Sequence, residues 1–148
     1  LILTYKTAPV SVREQVSLNE EGVKRFLQFA RDFTKATDVM VVSTCNRTEI
    51  YYSFEQDLST EMLKGLKLVK GTSENFDSYF QALGHQEAIQ HLYEVSIGLD
   101  AQVVGDLQIS GQVKNAYQWS ADLAMAGPFL HRLMHTIFYA NKRVVQET

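Results

Sequence analysis

The chain has little cysteine and no long apolar run, and each of these absences excludes some classes of protein. It contains one cysteine and two prolines among 148 residues. One cysteine excludes an internal disulfide, which fits a reducing compartment. No apolar run approaches the roughly 20 residues that a membrane-spanning helix needs, and no secretory signal pattern is present. We therefore expect a cytoplasmic protein without a membrane partner.

The chain also has little excess charge of either sign. It carries 14 basic and 17 acidic residues, which gives a formal net charge of −3. This balance argues against generic polyanion binding, because non-specific nucleic-acid affinity comes from neutralised phosphates. A local patch could still hold a particular RNA.

The hydrophobic fraction of 45% supports a substantial core in one domain. Since the sequence starts without methionine and stops inside a helical pattern, we expect a piece of a longer protein.

Hydrophobic periodicity predicts an α+β fold: a ferredoxin-like, split βαβ sheet followed by C-terminal helices. The predicted order is strand, helix, strand, strand, helix and a short fourth edge strand. We expect Asn19 to cap the first helix and Ser59 to cap the second. The predicted strands are residues 1–5, 39–43, 49–54 and 79–82, and the first helix is residues 20–34.

From residue 86 onward the pattern is helical. One helix is expected to end near Gly98, a second to run from about Ile109 to 126, and a last to begin after the break at Gly127 and Pro128. We therefore divide the chain into a sheet-forming part, residues 1–86, and a helical part, residues 87–148, of the same domain.

The only cysteine lies in VVSTCNRTEIYY, residues 41–52, between two predicted strands. Cys45 has Arg47 two residues away, and a cationic neighbour favours the thiolate that acts as a nucleophile. Backbone N–H groups in a turn can also stabilise an oxyanion. The alternative is a small buried residue at a strand end, which is a common role for free cysteine. The local pattern leaves both interpretations open.

Four histidines and two glutamines are the other candidates. His91 lies beside apolar residues, which is typical either of a hydrogen-bonded core histidine or of an acid–base partner. His131 and His135 are four apart beside Arg132, a pattern that favours surface or packing residues. No metal site is expected, because one cysteine and scattered histidines lack ligand spacing. Gln108 and Gln112 share one helix face and could grip a polar substrate or face solvent.

Three segments in order closely resemble the N-terminal catalytic domain of glutamyl-tRNA reductase. They are STCNRTEIY, HLYEVSIGLDAQVVGDLQISGQVKNAY and NKRVVQET, and the opening YKTAPVSVREQVSL is similar too. The resemblance covers nearly the whole chain. It implies reduction of the glutamyl group of glutamyl-tRNA with NADPH to glutamate-1-semialdehyde, for tetrapyrrole (porphyrin) biosynthesis.

The resemblance implies a role for individual residues. Cys45 would attack the ester and hold glutamate as a thioester, and His91 would help activate the thiol or move a proton. Arg47 would pair with the substrate carboxylate through two parallel hydrogen bonds. The substrate-binding residues that it implies are Thr44, Cys45, Asn46, Arg47, Asp106, Gln108 and Gln112.

The resemblance also implies parts that this chain lacks. NADPH-binding and dimerisation domains would follow Thr148, so we expect no cofactor-binding residue here, a homodimer of the full-length protein, and hand-over of the product to glutamate-1-semialdehyde aminomutase. Arg132 and two later basic residues of the last helix could contact tRNA or another domain, or simply face solvent. The chain departs from the family's usual residues at Tyr5, Ala101 and Leu107, and Asp106 replaces a glutamate.

Two other functions stay open at this point. One is a diverged, non-catalytic module that binds glutamyl-tRNA or a protein, which the departures suggest. The other is a cysteine-dependent hydrolase of small esters, which Cys45, His91 and Arg47 permit. Retention of the full TCNR motif favours catalysis over the first, and the GLD…GQVK block favours the reductase over the second.

Overall fold

A computed structural model describes residues 1–98 and 108–147, with side chains to residue 138 except that of Gln108. The strands are β1 (Ile2–Thr4), β2 (Asp38–Ser43) and β3 (Arg47–Ser53). The helices are α1 (Val10–Val16), α2 (Glu20–Phe33), α3 (Ser59–Lys70), α4 (His85–Ser96), α5 (Gln108–Asp122) and α6 (Pro128–Glu147), and a 3₁₀ turn covers Asp77–Tyr79. The predicted α+β class is confirmed.

The sheet is antiparallel, in the order β1-β3-β2. Strand β3 therefore lies between β1 and β2, as a split βαβ unit requires. The predicted fourth strand is present only as one antiparallel bridge, in which Ile2 and Gln81 exchange backbone hydrogen bonds of 2.8 and 2.7 Å. The expectation of a strand over residues 79–82 was therefore wrong, because the 3₁₀ turn occupies its first residue and leaves only Gln81 to pair.

Helices cover both faces of this sheet. One face packs against α1, α2 and α3, and the other against α4, α5 and α6. Successive residues of β2 alternate between these two layers, which explains why its four central residues are all apolar rather than every second one. The first layer contains Val39, Val41, Ile50, Phe26 and Leu66. The second contains Met40, Val42, Leu92, Val113, Met134 and Ile137.

Helix α2 begins as the sequence indicated. The Asn19 side chain accepts a 2.8 Å hydrogen bond from the Gly22 N–H, so the predicted cap is confirmed. The prediction that Ser59 caps the second helix was wrong, because Ser59 is the first residue of α3. Its N–H donates to Asp57 Oδ1 at 2.8 Å. Hydrogen bonds from Ser59 and Tyr52 lower the pKa of Asp57, so this carboxylate stays ionised at neutral pH and faces the positive end of the helix.

The start of β2 anchors the start of α6. Asp38 is buried, and its Oδ2 accepts a 2.8 Å hydrogen bond from the Leu130 N–H, while Oδ1 accepts one from Thr37. A Cβ at Gly127 would lie 2.5 Å from Asp38 Oδ1, so this close approach needs glycine. The strand therefore supplies the cap that α6 does not carry in its own sequence.

Replacement of Asp38 by alanine is expected to lower the free energy of unfolding by about 1–3 kcal/mol, because it leaves a buried N–H without an acceptor. Urea denaturation of the chain measures the change, and Asp32→Ala, at an exposed carboxylate of α2, is the matched control. Equal midpoints for the two variants would contradict the anchoring role.

Candidate functional site

Cys45 lies at the tip of the three-residue connection between β2 and β3, with its side chain exposed. The Thr44 N–H donates to the Arg47 carbonyl at 2.8 Å, and the Asn46 N–H donates to Thr44 Oγ1 at 3.1 Å. The Asn46 carbonyl accepts from the Tyr5 N–H at 2.9 Å. The alternative of a buried packing cysteine is therefore wrong: a tight hairpin presents the thiol to solvent.

A buried carboxylate lies two strand positions beyond the hairpin, on the face that α4, α5 and α6 cover. Glu49 is fully buried, and its Oε2 lies 3.0 Å from Arg47 Nη1 and 2.9 Å from His91 Nε2. The Tyr51 hydroxyl donates to its other oxygen, Oε1. Both carboxylate oxygens thus have donors, as a buried charge requires.

This carboxylate fixes the orientation of His91. A carboxylate only accepts hydrogen bonds, so His91 Nε2 must donate to it. A neutral ring that donates through Nε2 carries its lone pair on Nδ1, which is the form of a base. The ring is 17% exposed, so it is held at the edge of the core rather than enclosed in it. The interpretation of His91 as a hydrogen-bonded histidine is therefore confirmed, while its acid–base role stays a prediction.

The other residues named from the sequence are placed as follows. Arg47 is only 2% exposed and pairs with Glu49, so its assignment to a substrate carboxylate stays a prediction. Thr44 shapes the hairpin through its hydroxyl, and Gln112 is exposed on α5. Gln108 begins α5, and its side chain lies outside the described part. Asp106, Ala101 and Leu107 also lie outside the described residues.

Sequence reasoning missed Glu49 and Tyr51. Arg47, Glu49 and Tyr51 alternate along β3, so they share one face of the strand. The available signal was a pair of opposite charges, Arg47 and Glu49, two residues apart in a strand that also contains apolar residues. A carboxylate on a covered face of a sheet needs hydrogen-bond donors, and the nearby arginine can be one of them. The third donor, His91, lies 42 residues away in sequence and could not be paired with Glu49 from local pattern.

A cavity of about 500 Å³ lies at the end of β3 away from Cys45. Its walls include Tyr51, Tyr52, Leu92, Phe129 and Leu133, but neither Cys45 nor His91. The candidate nucleophile and the candidate base therefore both lie outside this cavity. Tyr51 connects the two regions, since its ring lines the cavity and its hydroxyl binds Glu49.

Among the residues that the structure describes, no group of three or more His, Cys, Asp or Glu side chains is placed to hold a metal ion. Within the same ranges, no helix has the length and apolarity needed to cross a bilayer.

Comparison with known proteins gives one consistent result. A family model described as the N-terminal domain of glutamyl-tRNA(Glu) reductase matches residues 1–148. A glutamyl-tRNA reductase of Cytophaga hutchinsonii is 54% identical over 149 residues, covering 99% of this chain and 35% of that protein. One of Aquifex aeolicus is 35% identical, with 99% and 36% covered. The solved structure of glutamyl-tRNA reductase from Methanopyrus kandleri matches with a TM-score of 0.78 at 25% identity, over 99% of this chain and 34% of that one. The chain thus spans about a third of the length of these proteins.

Proposed function

Because the chain belongs to the glutamyl-tRNA reductase N-terminal domain family, we propose that it is the domain in which Cys45 takes the glutamyl group from glutamyl-tRNA as a thioester. The observation that carries the proposal is the exposed thiol on a tight hairpin whose next strand holds Arg47 and Glu49, with Glu49 bound to His91. A nucleophile and an oriented base are the parts that acyl transfer needs.

The acyl transfer balances with these residues alone. The Cys45 thiol loses its proton to His91, and the sulfur attacks the ester carbonyl carbon. The new C–S bond replaces the C–O bond to the terminal ribose, and the ribose oxygen leaves as an alcohol with the proton that His91 returns. Glu49 keeps the ring in the tautomer that can accept the first proton and stabilises the imidazolium between the two transfers.

The hydride that reduces the thioester would come from NADPH, and the strand-to-helix connections of residues 1–98 do not fit that cofactor. A dinucleotide site needs a strand that runs into a glycine-rich turn and a helix. Strands β1 and β3 lead to α1 and α3 through segments without glycine, and β2 leads into the hairpin. We therefore assign the transfer to sulfur to this chain and propose that the reduction takes place in another domain of the full-length protein.

Three further parts of the proposal concern the whole protein. The family's reaction gives glutamate-1-semialdehyde for tetrapyrrole biosynthesis. The protein would act in the cytoplasm. The full-length form would be a homodimer. The reactive aldehyde would pass to the aminomutase that consumes it. The similarity over the whole chain supports each of these.

The direct test is intact mass spectrometry of the full-length protein incubated with glutamyl-tRNA in the absence of NADPH. We expect a mass increase equal to one glutamyl residue, mapped by proteolysis to the peptide that contains Cys45. Neutral hydroxylamine should remove it, as it cleaves thioesters. Uncharged tRNA is the matched control and should leave the mass unchanged. Tight binding of glutamyl-tRNA without an adduct would favour the non-catalytic binding module instead.

A further inference from the structure

A strip of rings and one ammonium group lies across α5 and α6, apart from the groups already described. The Tyr117 hydroxyl oxygen lies 2.9 Å from His131 Nδ1, and the rings of His131 and His135 are 4.2 Å apart between centroids. The Phe138 ring is 6.0 Å from that of Tyr117 in an edge-to-face arrangement, and Lys114 Nζ lies 5.6 Å above it. We call these five residues the ring strip.

The ring strip is accessible. Lys114, His131 and His135 are exposed, while Tyr117 and Phe138 are half-buried. Burial raises the pKa of Tyr117, so its phenol stays protonated at neutral pH and adds no negative charge. The strip therefore offers ring surfaces with at least one cation beside them.

One end of the ring strip lies toward the end of the sheet at which Cys45 is found. The Val39 N–H donates to the Met125 carbonyl at 2.8 Å, and Asp38 caps α6, so the α5–α6 connection sits at the start of β2. Both helices pack against β2 in the layer that contains Val42, Val113 and Ile137, so they extend from there along the strand, which is about 20 Å long. The Lys114–Phe138 contact lies farther from that connection than the Tyr117–His131 contact, and hence nearer the hairpin.

Charge distinguishes this face from the rest of the protein. The whole chain has 17 acidic residues and a net charge of −3, but residues 108–138 contain only one of them, Asp122. That residue lies at the end of α5 remote from Lys114 and accepts a hydrogen bond from Gln118. Arg132 adds a second exposed cation next to His131. A polyanion that is repelled elsewhere would meet little repulsion along the ring strip.

We propose that the ring strip is the contact surface for the single-stranded 3′ end of the tRNA whose glutamyl ester Cys45 attacks. Single-stranded nucleotides bind proteins through bases stacked on aromatic and histidine rings and through phosphates near cations. An aminoacyl ester sits on the terminal nucleotide of such an end, so the nucleotides before it must lie on a surface that leads to the thiol. The assignment rests on the proposed function and adds the surface that holds its substrate.

The test compares two substrates of the full-length protein. Lys114→Gln with His135→Ala should raise the KM for glutamyl-tRNA roughly tenfold, the size expected for losing one stacked base and one phosphate contact. The reaction of Cys45 with the small p-nitrophenyl α-ester of glutamate should keep its rate. In fluorescence anisotropy with uncharged tRNA, the dependence of log K on log salt should become shallower by about 0.7.

The matched controls are His85→Ala and Lys24→Gln. His85 is also an exposed histidine against a ring, that of Phe129, but lies at the start of α4. Lys24 is a lysine of α2 whose side chain is 39% exposed. Both should leave the KM and the salt dependence unchanged. Equal KM values in the strip variant and the controls would overturn the inference, and so would an equal loss with the small ester, which would assign the rings to helix packing. If Cys45 reacts with neither glutamyl-tRNA nor the small ester, the proposed function fails, and the assignment of this surface fails with it.

Discussion

Replacement of Cys45 by serine is expected to abolish the glutamyl adduct and to slow acyl transfer by roughly a thousandfold or more. The reason is chemical, because a serine hydroxyl is much less acidic than a thiol and a serine ester lacks the reactivity of a thioester. Since the side chain is exposed at the tip of a hairpin, the exchange removes no packing. Quenched-flow measurement of glutamyl-tRNA deacylation gives the rate, and the melting temperature should not change.

A companion variant separates the base from the nucleophile. His91→Ala should retain the adduct but form it about 10²–10⁴ times more slowly, the range for loss of one acid–base group. His85→Ala is the matched control, because that histidine is exposed at the start of α4 and lies against the Phe129 ring rather than Glu49. If Cys45→Ser kept more than a tenth of the wild-type rate, the nucleophile would have to be another group, and the thioester proposal would fail.

Replacement of Glu49 by alanine is expected to lower the free energy of unfolding by about 3–5 kcal/mol. The variant leaves the guanidinium of Arg47, which is 2% exposed, without the carboxylate that pairs with it, and removes the acceptor of His91. Guanidinium chloride denaturation measures the loss. Glu61→Ala, at an exposed glutamate of α3, is the control and should change stability by less than about 0.5 kcal/mol.

A double-mutant cycle distinguishes a buried ion pair from a general packing defect. The variant with both Glu49→Gln and Arg47→Met should be less destabilised than the sum of the two single variants, because no buried charge is left alone. Glu49→Gln by itself should keep the fold better than alanine does, yet slow acyl transfer, since a neutral amide stabilises an imidazolium poorly. Additive effects of the two single changes would contradict the pairing.

Local sequence patterns were sufficient for the elements that depend on neighbours in the chain. The polar Asn19 before an amphipathic stretch marked the start of α2, and Gly127 with Pro128 marked the start of α6. Local pattern did not predict α1, because seven residues with one buried side chain give too little periodicity to recognise. It also overestimated the fourth strand, since the length of a strand depends on how many partner residues are left to pair, and here only Gln81 pairs.

The candidate site divides in the same way. The sequence by itself determined that Cys45 follows an apolar strand and lies two residues before an arginine, and the motifs identified the family. Only the tertiary structure decided that the thiol is exposed, that Glu49 joins Arg47, Tyr51 and His91, and that Asp38 anchors α6. The physical reason is that a buried carboxylate needs donors, and these can come from any element that the fold brings within about 3 Å. Separation along the chain does not limit that contact, so local pattern cannot reveal it.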